Sequence, residues 1–137
     1  MKKIIAVIIL LFGIIGGTGE ALASSIAKDT MTYYTCYGVS QISKNSTYGV
    51  YGTSTTNCTD RSYSAPRSIS VSNMMTRNGG PYDSDDMTYS YSDYIQSTIN
   101  GSGAVTGQFY LKSVHRAVSR FNSGHTVYMT TNYSKSY

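Results

Sequence analysis

The chain has 137 residues and carries 14 tyrosines, 13% charged residues and a formal net charge of +4 at pH 7. This length fits a single domain with one modest core, and the low charge argues against a repulsive, disordered chain despite the shortage of large aliphatics. A mildly basic balance without a clustered basic patch argues against a nucleic-acid protein.

Lys2 and Lys3 precede an apolar run, Ile4–Ile15, interrupted only by Gly13, and Gly16, Gly17 and Gly19 then break any helix. Ala21 and Ala23 put small side chains at the −3 and −1 positions of a cleavage site before Ser24, as a secretory signal requires. A helix over that run rises about 18 Å against about 30 Å of bilayer hydrocarbon, which argues against a retained anchor. The expectation is a signal peptide over 1–23 and one secreted, tyrosine-rich β domain over 24–137. It is extracellular after release, with no stable membrane span. The Met-Lys-Lys start has a bacterial character, and in that setting the glycosylation triplets at Asn45, Asn57, Asn100 and Asn132 follow from composition alone.

From Thr30 onward, short runs of β-branched and aromatic residues alternate with Gly, Asn and Ser clusters, the spacing of an all-β sandwich or barrel. The predicted strands are Met31–Ile42, Tyr48–Thr56, Arg67–Met75, Met87–Ile99, Ala104–Leu111, Ser113–Phe121 and Thr126–Tyr133. Turns are expected at Ser43–Ser46, Asn78–Pro81, Asn100–Gly103 and Asn122–Gly124, where Gly and Asn accept positive φ, and a long loop over Asn57–Ser68. Leu111, Val114, Val118 and Phe121 recur at helical spacing, but Lys112, Arg116 and Arg120 then place like charges four apart. Residues 112–121 therefore read equally as a strand or as the one short helix of a mainly β, small antiparallel sandwich or barrel-like domain.

Cys36 and Cys58 are the only cysteines. In an exported chain they read as a disulfide rather than a metal pair. A hairpin centred on Thr47, with Asn45–Gly49 as its loop, sets them directly opposite.

The mature segment contains no Glu, so paired-carboxylate chemistry falls to its aspartates. Asp83, Asp85 and Asp86 concentrate oxygen ligands after a Gly-Gly-Pro turn. Met87 and Thr88 sit where a calcium loop needs Asp or Asn and then Gly, so a solvated loop is the expectation and no metal or other cofactor is assigned. His115 and His125 flank the Asn122–Gly124 turn; pairing Asn122 with His125 sets Asn132 opposite His115 and separates the rings by about 23 Å. No Gly-x-Ser-x-Gly elbow is present, and no catalytic residue is assigned. The stripe Lys112, Arg116 and Arg120 is a candidate contact for an anionic polymer or lipid surface. Tyr89 and Tyr91 fall on one strand face, either as core, which the scarcity of aliphatics favours, or as a platform for sugar or peptide.

Lys112–Val118, with the tyrosine-rich end through Tyr137, resembles the C-terminal half of small secreted lactococcin-type bacteriocins over less than a third of the chain. The chain has no tryptophan, a departure from their pattern, and the resemblance carries no residue role. Tyr, Ser, Asn and Gly together are the residues of adaptable binding loops. The leading expectation is an exported binding or surface-interaction protein rather than an enzyme, its partner a cell-envelope polymer, a target-cell surface or a host protein. The alternative is a secreted bacteriocin-like or toxin-like antimicrobial protein.

Overall fold

The computed structural model describes residues 24–31, 33–60, 65–122 and 124–137; the predicted signal segment lies outside them. Among the described residues eight strands form: β1 (Ser25–Met31), β2 (Tyr34–Asn45), β3 (Gly49–Asp60), β4 (Ser68–Arg77), β5 (Gly80–Ser90), β6 (Tyr94–Ile99), β7 (Gln108–Val118) and β8 (Thr126–Ser136). They build two antiparallel four-stranded sheets, β1-β2-β3-β6 (sheet I) and β5-β4-β7-β8 (sheet II), packed face to face. Among the described residues there is no helix.

The hairpins follow from their turn residues. Asn45 accepts hydrogen bonds through Oδ1 from the backbone N–H groups of Thr47 and Tyr48 at 3.0 and 2.7 Å, and Gly49 takes φ +68°. A side chain at Gly49 would also strike the carbonyl oxygens of Gly103 and Ala104, because the β6–β7 connection lies against it. The register is centred on Thr47, so Asn45 pairs with Gly49 and Cys36 with Cys58. The two cysteines form the disulfide. Asn78 and Gly79, both at positive φ, make a two-residue turn of the kind that matches strand twist between β4 and β5.

Four elements differ from the sequence reading. β1 precedes the region read as strand; Ile26 and Met31 are its only large apolar residues, and its ladder to β2 holds it. The expected strand Met87–Ile99 is cut after Ser90, where Tyr91 adopts φ +53° and the chain crosses to sheet I. Ala104–Leu111 and Ser113–Phe121 instead contribute one strand, β7, since no turn residue interrupts Leu111–Val114. Residues 112–118 are thus strand, and the three residues after them leave it. The expected loop Asn57–Ser68 gives up Asn57–Asp60 to β3, where they pair with Tyr34–Tyr37.

The core is divided. One apolar cluster holds Tyr34, the disulfide, Ile69, Val71, Ile95, Ala117, Val127 and Met129; the other holds Ile42, Val50, Met75, Ile99, Phe109 and Leu111, with Tyr82, Tyr133 and Tyr137 against it. Between them runs a polar layer. Ser25, Ser40, Ser54 and Ser97 form one inward cross-strand row of sheet I, and Asp85, Asn73, Ser113 and Thr131 form the matching row of sheet II. Ser54 bonds Ser113 at 2.6 Å, Ser97 donates to Asp85 at 2.6 Å, and Ser40 bonds both Ser54 and Thr131. Asn73, only 2% exposed, has no partner for either side-chain amide atom.

Candidate functional site

Strand alternation sends Gln108, Tyr110, Lys112, Val114 and Arg116 of β7 to the outer face of sheet II. Registry sets them in rows: Thr88, Ser70, Arg116 and Tyr128; then Asp86, Ser72, Val114 and Thr130; then Ser84, Met74, Lys112 and Asn132. Met74, Tyr110, Val114 and Tyr128 are exposed there. The guanidinium of Arg116 lies 5.5 Å from the centroid of the Tyr128 ring, and Tyr110 donates to Asn132 at 2.6 Å.

The end of this face is a groove of about 480 Å³ lined by Arg67, Ser68, Ser90, Tyr91, Arg116 and Val118. Its backbone is pinned on both sides of Arg67: the Arg67 N–H donates to Val118 O at 2.9 Å and Tyr91 N–H donates to Arg67 O at 3.1 Å. Ser90, Ser68 and Val118 share one cross-strand row and form the floor. Arg120, just past β7, places its guanidinium 5.2 Å from the Tyr91 ring centroid.

Arg116, Arg120 and Tyr91 are therefore brought together. Lys112 shares their face but sits four residues down β7, about 13 Å away. Tyr89 pairs with Ile69 on the inward-facing side of the β5 edge and does not join them. Both Tyr89 and Tyr91 are exposed, 47% and 60%, so the core reading of that pair is corrected: β5 is an edge strand, and the positive φ of Tyr91 breaks the alternation that would align the two rings. Arg67, Tyr110 and Tyr128 were not singled out from the sequence. The Val127, Met129, Thr131 alternation signals that Tyr128 points outward; the neighbourhood of Arg67 depends on long-range pairing with Val118 that local pattern does not encode.

The aspartates have structural tasks. Asp83 accepts through Oδ2 from the N–H groups of Asn100 and Gly101 at 3.0 and 2.8 Å, capping the turn after β6. Asp85 holds Ser97 in the polar layer. Asp86 lies on the outer face of an edge strand.

His115 is fully buried, and Gly38 makes its room, since a Cβ there would lie 2.4 Å from the imidazole Cδ2. The hairpin register pairs it with Met129, not Asn132. The connection runs from Ser119 to His125 and is closed by Ser119 N–H to His125 O at 2.9 Å, longer than the tight turn expected. Thr56 donates its hydroxyl to Ser70 O at 3.1 Å, so its oxygen accepts from Nδ1–H of His115 at 2.8 Å. Nε2 is then the acceptor, and Thr131 donates to it at 2.8 Å. Direction propagates: Thr131 accepts from Ser40, Ser40 from Ser54, and Ser54 from Ser113. The imidazole is neutral in this chain, and burial pushes its pKa from 6.5 down to about 4. Both ring nitrogens are committed to protein hydroxyls, and His125 lies on an exposed loop.

Comparison with known proteins finds no matching family model, no matching curated protein and no matching solved structure.

Proposed function

We propose that the chain is an exported surface-interaction protein that binds an anionic polymer of a cell envelope through the outer face of sheet II. One observation carries this: Lys112 and Arg116 stand on an exposed face beside Tyr110, Tyr128, Met74 and Val114, and among the described residues neither cation is paired with a carboxylate. Such a face offers charge to the polymer backbone and rings to its carbon–hydrogen surfaces. These side chains stand on a continuously paired sheet, so the backbone needs no reordering on contact. The disulfide suits an oxidising compartment, in agreement with a removed signal segment.

Co-sedimentation of the oxidised protein with purified envelope material tests the reading. The protein should pellet, and less of it as salt rises. A variant combining Tyr110→Ala, Lys112→Gln and Tyr128→Ala should remain in the supernatant while keeping its melting temperature. A wild-type protein that stays in the supernatant with every envelope preparation would overturn the proposal.

A further inference from the structure

We infer that the groove at the end of this face is a subsite for a phosphate ester, an assignment that rests on the polymer-binding reading above. Arg67, Arg116, Ser68, Ser90, Tyr91 and Val118 line it, so two guanidinium-bearing and two hydroxyl-bearing residues meet in one groove. None of the lining residues is acidic. Among the described residues no ion pair engages Arg67, Arg116 or Arg120, although Asp86 and Asp93 occur nearby in sequence and register. The groove thus concentrates forked N–H donors that the fold leaves without an anionic partner.

The arrangement selects a tetrahedral oxyanion. A planar carboxylate is satisfied by one guanidinium fork, whereas donors arriving from two arginines and from serine hydroxyls below match oxygens pointing in several directions. Arg67 leads into β4 with its backbone bonded on both flanks, and Arg116 rises from the middle of the sheet with its guanidinium against the Tyr128 ring, so both side chains spring from fixed backbone at the groove. Tyr91 supports the assignment independently. A bulky residue at φ +53° is strained by about 1 kcal/mol or more, and Gly or Asn would relieve it. The strained turn sets a 60%-exposed ring at the mouth of the groove with Arg120 stacked over it. A ring in that position lies where the sugar or polyol next to the phosphate would run.

The test uses the full oxidised protein and inorganic polyphosphate as the probe, with dextran sulfate and neutral dextran alongside. Arg67→Gln and Arg116→Gln should each weaken polyphosphate binding about tenfold or more, as expected for a lost charged hydrogen bond. The double variant should fall to the level of neutral dextran, and Arg116→Lys should be intermediate because it keeps the charge and loses the fork. Unchanged melting temperatures establish that the exposed substitutions leave the fold intact. Equal polyphosphate affinity in the wild type and the double variant would overturn the subsite, as would tighter binding to dextran sulfate than to polyphosphate. Envelope material stripped of phosphate polymers separates this inference from the broader one. Binding that survives both the stripping and the double substitution overturns the phosphate subsite and leaves the surface reading standing. Loss of binding on stripping supports both.

Discussion

Acidification should destabilise this protein through the buried His115. His115 has a folded pKa of about 4 against 6.5 for the ordinary group, because burial disfavours the charged ring. Between these values the unfolded chain holds a proton that the folded chain does not. Stability from the neutral histidine is therefore complete above pH 6.5 and is lost progressively as pH falls toward 4. A shift of that size corresponds to about 3 kcal/mol, a large fraction of the stability of a small domain. The ring abuts Gly38 and hydrogen-bonds the hydroxyls of Thr56 and Thr131, none of which can take up the charge. A second N–H on the ring would oppose the hydroxyl that Thr131 directs at Nε2, and the chain of hydroxyls back to Ser113 would have to reverse. The assay is urea unfolding at a series of pH values, wild type against His115→Gln, with the aspartates common to both. The wild type should lose about 3 kcal/mol more than the variant across this interval. Parallel loss in the two proteins would refute the assignment of His115 as the acid-sensitive group.

The disulfide closes a separation of 22 residues, for which chain entropy gives about 3 kcal/mol; reduction or Cys36→Ser should lower the melting temperature by about ten degrees or more, and a shift of about two degrees or less in calorimetry would contradict this. Asn73→Leu removes a buried amide without partners and should raise the urea midpoint, by an amount equivalent to about 1 kcal/mol or more; a lowered midpoint would mean that the amide is satisfied in solution. If the proposed export holds, intact mass of protein recovered from the culture medium should correspond to Ser24–Tyr137 less two hydrogens, and a mass retaining Met1–Ala23 would refute cleavage.

Alternation and turn chemistry made most strands readable, and the Cys36–Cys58 staple followed from a hairpin centred on Thr47. What the sequence concealed was mostly long-range. Asn78-Gly79 marks its turn locally, but nothing near Arg67 announces its meeting with Val118. β1 escaped notice because an edge strand can be held by its ladder with few large side chains of its own. The helical spacing of Leu111, Val114 and Val118 misled because Ser113 and His115, polar by type, are the residues that β7 turns inward. Inward hydroxyls in Ser40, Ser54 and Thr131 hid the core in the same way: a period-two pattern is visible only when inward means apolar. Of the candidate site, Arg116, Arg120 and Tyr91 were legible as charged or aromatic residues, and their convergence was not.

The polar layer also bears on how the two halves of the sandwich find each other. Two greasy sheets can slide along one another with little change in contact energy, and a chain poor in aliphatics has few bulky side chains to lock the fit. Here a displacement by one residue pair, about 7 Å, would carry Ser40, Ser54 and Ser97 away from Thr131, Ser113 and Asp85 and break their hydrogen bonds together. Misaligned dockings are thereby penalised at several points at once, whereas the native one satisfies them together. The hydroxyl row works as a key cut across the width of the molecule: it adds little cohesion, and it admits a single alignment.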